Sequence, residues 1–273
     1  QFIGVFDGNG KKISELTISS SEIYNLGFFG CVGANGIIKN LGIEGTKIST
    51  MNWNPISIGA LAGISFGSIV NCYTTSSLIA ITTSDSYSCN VGGLVGLTLG
   101  TISDCYAMNN EMRVSSYASS VGGLVGRQDK GTIANCYAMN NYSYWNTENR
   151  GGGLVGSSCG SIVNCYTMGS FSGIFGVFGG LVGDSSGTIT KCYSTVNSSG
   201  GYVGGLVGTG DGTITNCYAS GSVIGSEYAG GLVGSGSGRI ENCFATGDVS
   251  LNVEWASAGG LCGLHRGTIE NCY

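Results

Sequence analysis

Residues 204–218, GGLVGTGDGTITNCY, contain two short blocks that recur along the chain. A Gly-Gly-Leu-Val-Gly block is followed, after a short gap, by an Ile-x-Asn-Cys-Tyr block. The pair occurs eight times, and residues 92–106, GGLVGLTLGTISDCY, are a second clear copy. A repeat of this kind indicates a stacked architecture, because each unit can bury its apolar face only against its neighbours.

The spacing within the repeat is nearly constant. The Leu of the first block and the Cys of the second lie eleven residues apart in seven copies, and the eighth pair, Leu124 and Cys136, has one extra residue. All larger differences in length fall between the Tyr and the next Gly-Gly. The repeat therefore combines a rigid half with an adjustable loop.

Two earlier segments fit the same frame with Leu in place of Cys. We align residues 13–18, ISELTI, with residues 38–43, IKNLGI, so that Leu16 and Leu41 take the Cys position. The first position of the second block is then Ile in ten units, at a period of 25–33 residues. Its members are Ile13, Ile38, Ile69, Ile102, Ile133, Ile162, Ile189, Ile214, Ile240 and Ile269.

This period, with short alternating runs of β-branched residues, favours strands over helices. Alternation places the Ile, the Cys and the small residue after Tyr inside, and the Tyr outside. The three-residue step from Ile to Cys breaks the alternation, so we expect the Asn between them at a left-handed corner, bonded to the next Asn in an internal ladder. That ladder comprises Asn71, Asn135, Asn164, Asn216, Asn242 and Asn271, interrupted by Asp104 and Lys191.

The sequence therefore predicts an all-β fold, a single-domain parallel β-helix (β-solenoid) of about ten coils with a right-handed winding. At ~4.8 Å per coil, the rod would be on the order of 50 Å long. Within one continuous domain we expect degenerate coils in residues 1–44 and eight repeats in residues 45–273. Both ends of the chain fall inside the repeat pattern, so we interpret it as a mature product or a fragment.

The recurring blocks resemble the GLUG motif repeats of secreted and surface-anchored bacterial proteins, including non-catalytic regions of some proteases that cleave immunoglobulin A. The resemblance covers roughly residues 27–273. It implies that the motif residues are structural and mark no catalytic centre. No part of the sequence matches a protease metal site.

Composition narrows the classes of partner. Only 10% of residues are charged, and the net charge is −5 with 11 Lys and Arg, which argues against nucleic acid because its binding requires a basic track. No stretch of eighteen apolar residues is present, so we expect no membrane span. The many Ser, Thr, Asn and Gly residues favour a secreted or cell-surface location.

Eight of the twelve cysteines belong to the repeat. Neighbouring positions would lie ~4.8 Å apart, but parallel Cβ vectors do not converge as a disulfide requires. Buried thiols that act as small hydrophobes fit better than bridges, and one Cys per coil on a line does not suit a tetrahedral metal. We therefore expect no metal and no cofactor. The eight, called the cysteine ladder below, are Cys72, Cys105, Cys136, Cys165, Cys192, Cys217, Cys243 and Cys272.

No convincing catalytic arrangement is present, and we predict no catalytic residue. The single histidine, His265, completes no triad. Glu241 and Glu270 take equivalent positions in adjacent coils, as a glycosidase or lyase would need, but Arg239 beside them favours a salt-bridged patch. Rows of Thr and Ser flank the inward Ile, as on ice-binding solenoids, although Thr is also simply a good outward strand residue.

Aromatic side chains are the better candidates for a binding surface. The Tyr of each repeat should stack outward, which stabilises the rod and also presents a ridge to sugars or another solenoid. A loop rich in aromatics and amides has the composition of a sugar site, although it is also suited to folding back on the solenoid. The residues predicted to bind are Tyr106, Tyr137 and Tyr166 in the ridge, and Tyr142, Tyr144 and Trp145 in that loop.

We interpret the chain as a non-catalytic extracellular β-solenoid: an adhesin stalk, a structural repeat region or a fibre subunit. The alternative is a glycan-binding surface module that uses its aromatic loops; ice binding and polysaccharide cleavage follow. Expected partners are a second copy of the chain, head to tail or side by side, glycans, or a host or cell-surface protein.

Overall fold

A computed structural model describes residues 1–20, 24–51, 56–82, 88–115, 119–144, 149–172 and 176–273. These residues form four parallel sheets and no helix. From Ser68 onward, each complete repeat contributes two short strands to sheet 1, then passes through sheets 3 and 4 and returns to sheet 1 one coil further along. The first five coils also contribute a strand to sheet 2. The chain is therefore an all-β parallel β-solenoid, and the predicted fold class is confirmed.

Sheet 1 has seventeen strands and holds the Ile and Tyr positions of the repeat. They are Val5–Ser14, Ile37–Glu44, Ser68–Val70, Tyr73–Thr75, Thr101–Ser103, Tyr106–Met108, Thr132–Ala134, Tyr137–Met139, Ser161–Val163, Tyr166–Met168, Thr188–Thr190, Tyr193–Ser194, Thr213–Thr215, Tyr218–Ala219, Arg239–Glu241, Phe244–Ala245 and Thr268–Glu270. Sheet 2 is formed by the adjustable loops of the first repeats: Thr17–Ser20, Lys47–Thr50, Leu78–Thr82, Glu111–Ser115 and Tyr142–Tyr144.

Sheets 3 and 4 meet at the Gly-Gly-Leu-Val-Gly block. Sheet 3 comprises Asn25–Leu26, Ile56–Gly59, Cys89–Gly92, Ser120–Gly122, Asn149–Gly152, Ser170–Ser172, Gly176–Gly179, Asn197–Gly204, Val223–Gly230, Val249–Leu251 and Ser257–Gly259. Sheet 4 comprises Phe29–Val32, Ala62–Ser65, Val95–Thr98, Val125–Gln128, Val155–Ser158, Val182–Ser185, Val207–Gly210, Val233–Gly236 and Cys262–His265.

The number of coils is smaller than predicted. Sheet 4 has nine strands in the described residues, so eight turns of the chain lie between its first and last strand. At ~4.8 Å per turn these strands span about 40 Å. The repeat-to-repeat pairing starts within residues 1–44, since Ile38 lies opposite Ile69.

The predicted register of the first coil is wrong. Phe6, not Ile13, lies opposite Ile38, and Ile13 lies opposite Ile43. The cause is a register shift between Asp7 and Lys11, where three residues of the first coil face one of the second. Ten equivalent positions in this row are thus filled by Phe6 and nine isoleucines, and Ile13 belongs to the row of small residues after Tyr.

Alternation otherwise places the core as predicted. One buried cluster lies between sheets 1 and 4. It contains the Ile row from Ile38 to Ile240, the motif leucines from Leu61 to Leu232 and the cysteine ladder up to Cys243. A second cluster lies mainly between sheets 2 and 3 and includes Ile79 and Phe178. Because the same side chain recurs at the same place in each coil, each row packs against a copy of itself.

The corner between the two strands of sheet 1 has the predicted left-handed backbone. Its φ angles lie between 50° and 56° at Asn40, Asn71, Asp104, Asn135, Asn164, Lys191, Asn216, Asn242 and Asn271. The amides bond from coil to coil, for example Asn164 Nδ2 to Asn135 Oδ1 at 2.8 Å. The ladder is exposed, not internal as predicted, because a left-handed residue at a convex corner points its side chain to solvent.

Lys191 is the one lysine in this row, and replacing it with asparagine should stabilise the protein. A left-handed conformation costs most residues about 1–2 kcal/mol, and asparagine less. Lys191→Asn should therefore raise the free energy of unfolding by up to about 1 kcal/mol in urea titrations. The control is Thr188→Asn, at a strand position nearby, which should give no gain. Equal effects of the two variants would contradict this explanation.

Candidate functional site

The glycines of the repeat are required by close backbone packing between sheets 3 and 4. A Cβ atom on Gly204 would overlap the carbonyl oxygen of Val207, and one on Gly205 would overlap that of Gly231 in the next coil. A Cβ on Gly208 would lie 2.6 Å from the carbonyl oxygen of Phe178 in the preceding coil. The block therefore lets two sheets approach each other without side chains between them.

The cysteine ladder does more than fill space. The buried N–H of Cys165 donates to the Sγ of Cys192 at 3.4 Å, and that sulfur lies 3.2 Å from the carbonyl oxygen of Thr190. The same N–H to Sγ bond joins each neighbouring pair from Cys72 to Cys272, at 3.3–3.4 Å. Each thiol from Cys105 to Cys272 thus satisfies a backbone donor of the preceding coil that the corner leaves without a carbonyl partner.

All eight ladder cysteines are free thiols. Burial raises the pKa of the Cys105 thiol above its ordinary value of 9.0. The neighbouring Cys105 is the main cause of a raised pKa at Cys136. These thiols therefore stay protonated in the folded protein at pH values where an unfolded chain would ionise them.

The protein should lose stability steeply above about pH 9. A thiol whose pKa is raised by folding contributes its full stabilisation at pH values below the pKa of the unfolded chain. That stabilisation is lost as the pH rises towards the pKa of the folded state, because in this range only the unfolded chain releases the proton. The protonated thiols of Cys105 and Cys136 should each cost up to ~1.4 kcal/mol of stability per pH unit in that range. Urea titrations from pH 8 to 10.5 measure it. Cys105→Ser, which does not titrate there, should show a shallower fall; an identical slope would contradict the assignment.

The tyrosine row is a continuous stack on the outer face of sheet 1. Neighbouring ring centroids lie 4.9–5.3 Å apart with interplanar angles of 0–8°. Partial burial raises the pKa of Tyr106 and Tyr137, so both hydroxyls stay neutral. The row comprises Tyr73, Tyr106, Tyr137, Tyr166, Tyr193, Tyr218, Phe244 and Tyr273.

A family model described as the GLUG motif matches residues 117–141, 199–224 and 225–250. The chain contains GLUG repeats. Its glycines and cysteines carry the structural roles just described, since they meet the backbone of neighbouring coils.

The relatives are much longer proteins. The chain is 37% identical over 71 residues to a protein of Evansella cellulosilytica that bears the provisional name Gly-rich membrane protein, over 26% of this chain and 8% of that one. It is 37% identical over 70 residues to halomucin of Haloquadratum walsbyi, over 26% of this chain and 1% of that one.

A solved structure resembles the GLUG-repeat chain at low identity. It is a Bacteroides ovatus chain provisionally named an immunoglobulin A1 protease, with 19% identity and a TM-score of 0.46. The match covers 97% of this chain and 68% of that chain.

The predicted binding residues of the GLUG repeats fall into two groups. Tyr106, Tyr137 and Tyr166 are consecutive in the tyrosine row, so each ring has a neighbour on both faces and presents its edge to solvent. A sugar ring stacks on an aromatic face, and within the row those faces are occupied. Tyr142 and Tyr144 lie in a strand of sheet 2, but their side chains and the whole of Trp145 lie outside the described residues.

Methionines lie beside the tyrosines on the same face, a feature the sequence reasoning missed. Met108, Met139 and Met168 are register partners and sit two residues after Tyr106, Tyr137 and Tyr166. Strand alternation points residues two apart to the same face, so the methionines point outward like the tyrosines. This two-residue spacing is visible in the sequence and could have predicted the methionine row.

The Thr and Ser rows lie in register on the outer face of sheet 1, and their hydroxyls bond to one another. Thr190 and Thr215 oxygens are 3.0 Å apart, and Thr188 Oγ1 donates to Ser161 Oγ at 3.1 Å. The first row is Ser68, Thr101, Thr132, Ser161, Thr188, Thr213, Arg239 and Thr268; the second is Val70, Ser103, Ala134, Val163, Thr190, Thr215, Glu241 and Glu270.

The carboxylate pair is held in an ion-pair cluster. Arg239 lies 3.0 Å from Glu241 and 2.9 Å from Glu270, measured from Nη2 to Oε2 in each case. Both carboxylates thus face one guanidinium, as the salt-bridged interpretation predicted. His265 Nε2 lies 3.1 Å from the carbonyl oxygen of Gly238.

Within the described ranges, no group of three or more His, Cys, Asp and Glu side chains is placed to hold a metal ion. None of the secondary structure in those ranges is a helix long and apolar enough to cross a membrane.

Proposed function

We propose that these GLUG repeats form a non-catalytic, extracellular structural rod, used as a stalk or repeat region of a surface protein or as a subunit of a fibre. The observation that supports it most is how the motif residues are used. Glycine, Leu, Ile, Asn and Cys of each repeat serve the stack, through close sheet packing, burial, left-handed corners and N–H to Sγ bonds.

The remaining chemistry is also that of a rod. The carboxylates of Glu241 and Glu270 both pair with Arg239, as in a salt-bridged surface patch. Aromatic stacking along eight coils stabilises neighbouring coils by about 0.5–1.5 kcal/mol per ring pair. The names of the two relatives, a Gly-rich membrane protein and halomucin, suit a role at the cell surface.

Antibody labelling of intact source cells tests the location. An antibody raised against the 273-residue chain should label unpermeabilised cells or their surrounding matrix. Labelling that requires permeabilisation would contradict an extracellular role.

Incubation of the purified chain with immunoglobulin A1 and with common polysaccharides tests the absence of catalysis. The proposal expects no cleavage above a buffer control. Cleavage that follows the chain through purification and is lost in Glu241→Gln or Glu270→Gln would show that the carboxylate pair is an active site.

Electron microscopy separates the two forms of the proposal. A fibre subunit should form filaments at high concentration, through end-to-end contacts or through the tyrosine row. Dispersed single particles at every concentration would contradict the fibre-subunit form of the proposal and remain consistent with a stalk.

A further inference from the structure

Trp255 stands apart from every other large apolar side chain in the described residues, because 97% of its surface is exposed. A tryptophan carries about 150–250 Å² of surface that folding or binding normally buries. It lies in the segment that joins strand Val249–Leu251 to strand Ser257–Gly259 of sheet 3. Its exposure leaves the aromatic face of the indole accessible to a ligand.

The cleft lies beside this indole and is open to solvent. Its volume is about 300 Å³, at the small end of the range for ligand sites. Tyr228 and Ser257 are register partners in adjacent coils of sheet 3, so the cleft crosses two coils. Its lining residues are Ser226, Glu227, Tyr228, Val253, Trp255 and Ser257. We call it the tryptophan cleft.

The lining combines the two kinds of group that recognise a sugar ring. The apolar C–H face of a sugar packs on an aromatic face, and its hydroxyls donate to carboxylates, with bonds to a charged acceptor stronger than neutral ones. Trp255 offers the aromatic face. Glu227 is exposed and forms no ion pair with any residue of the described part, so its carboxylate is available to hydroxyl donors.

The stacked rings of the tyrosine row are less accessible to a sugar than the indole beside this cleft. Rings inside that row have their faces against neighbours 4.9–5.0 Å away. On sheet 3 the stacking is broken, since the Tyr202 and Tyr228 rings are tilted by 40° with centroids 5.3 Å apart. The indole beside them is almost fully exposed, so its aromatic face is open to a ligand.

The charge around the cleft selects among sugars. Glu227 lines it, Glu254 precedes Trp255, and both side chains are exposed. The chain as a whole carries a net charge of −5. Sialylated or uronic-acid glycans would meet like charge here, whereas an uncharged glycan would not.

We propose that the tryptophan cleft binds an uncharged oligosaccharide, stacked on Trp255 and hydrogen-bonded to Glu227. This is a binding site additional to the structural role of the rod. The structural role of the rod does not require this site. Binding at the cleft, in turn, does not depend on whether the rod assembles into fibres.

The probe is an array of immobilised neutral oligosaccharides, comprising β-glucans, chitin oligomers, mannans and galactans, with sialylated and uronic-acid glycans beside them. The 273-residue chain should bind at least one neutral class and none of the acidic ones. Absence of binding to every neutral class, or preferential binding to acidic glycans, would overturn the proposal.

Variants then locate the site on the glycan that binds. Trp255→Ala and Glu227→Gln should each weaken binding at least tenfold, and Trp255→Phe should restore part of it because it keeps an aromatic face. Tyr24→Ala removes another exposed aromatic, at the opposite end of the rod, and should change affinity less than twofold.

Circular dichroism melts test whether a variant has unfolded. We expect Trp255→Ala to melt like the starting protein, because Trp255 has almost no packing to lose. Unchanged affinity in both Trp255→Ala and Glu227→Gln would overturn the proposal. So would a loss of affinity in Tyr24→Ala equal to that in Trp255→Ala.

Discussion

Replacing Gly205 with alanine should severely destabilise the solenoid, whereas the same replacement at Gly260 should be nearly silent. The two glycines occupy the same position of the repeat, in different coils. A Cβ on Gly205 overlaps the carbonyl oxygen of Gly231 in the next coil, and that atom is backbone and cannot move aside alone. A Cβ on Gly260 meets no atom within 4 Å.

The expected loss at Gly205 is at or above the upper end of the ~1–3 kcal/mol typical of overpacking, because backbone and not a flexible side chain must shift. Gly260→Ala should fall within about 0.5 kcal/mol of the starting protein or slightly above it, since alanine restricts the unfolded chain. Urea unfolding followed by far-ultraviolet circular dichroism measures both. Equal losses at the two positions would mean that the glycine is needed for its backbone freedom and not for coil-to-coil contact.

Replacing Cys192 with alanine should give the second largest loss. It removes the acceptor of the buried Cys165 N–H and leaves that donor without a partner, at a cost of about 1–3 kcal/mol in addition to the lost packing. Cys192→Ser keeps an acceptor and should lose less than Cys192→Ala. The two variants therefore separate a thiol that accepts a hydrogen bond from one that only fills space.

The control is Cys159→Ala, at an exposed cysteine, which should change the free energy of unfolding by no more than about 0.5 kcal/mol. If Cys192→Ser is less stable than Cys192→Ala, the acceptor role is contradicted. The ladder thiols would then be interpreted as small hydrophobic groups that only fill space. Treatment with a reducing agent should leave the melting of the starting protein unchanged, because its ladder sulfurs are not bridged.

The rows of the rod could be predicted because the sequence aligns with itself. Once Ile102 and Ile133 were recognised as equivalent, strand alternation placed Cys105 inside and Tyr106 outside, and the structure agrees. The corner at Asp104 followed from the three-residue step, since a break in alternation needs an unusual backbone conformation. Such inferences need only the repeat and the strand period.

The first coil and the sulfur bonds could not be predicted in the same way. Residues 13–18 and 38–43 share their apolar spacing, and only the register shift between Asp7 and Lys11 shows that Phe6 is the true equivalent of Ile38. The acceptor role of the cysteines depends on which backbone N–H groups lack a carbonyl, which the sequence does not contain.

A second left-handed corner was also missed. It lies at Gly45, Ser76, Asn109 and Asn140, each followed by a buried polar residue. There Asn110 Nδ2 donates to Asn141 Oδ1 at 2.9 Å in the interior, so the internal amide ladder exists at this corner and not at the predicted one. The Asn-Asn pairs at 109–110 and 140–141 were the available signal, but they fall in the adjustable part of the repeat.

The tryptophan cleft lay beyond sequence reasoning for a different reason. Trp255 and Tyr228 were visible as aromatics of the variable loops, but their exposure depends on how the segment before Ser257 leaves the sheet. Periodicity does not describe that segment. The same reasoning instead favoured Tyr106, Tyr137 and Tyr166, whose faces the stack covers.

Each repeat advances the chain by one strand spacing, whatever its length between 25 and 33 residues. Pulsed electron–electron double resonance tests this spacing most directly. The spin labels are attached to ketone-bearing unnatural residues, so that the native thiols are not modified. Ser68 and Thr188 are separated by four steps of one row, and Ser68 and Thr268 by seven. At ~4.8 Å per step, we expect narrow distributions near 19 Å and 34 Å. Broad distributions, or distances that differ from these by more than about one step, would contradict the stacked register.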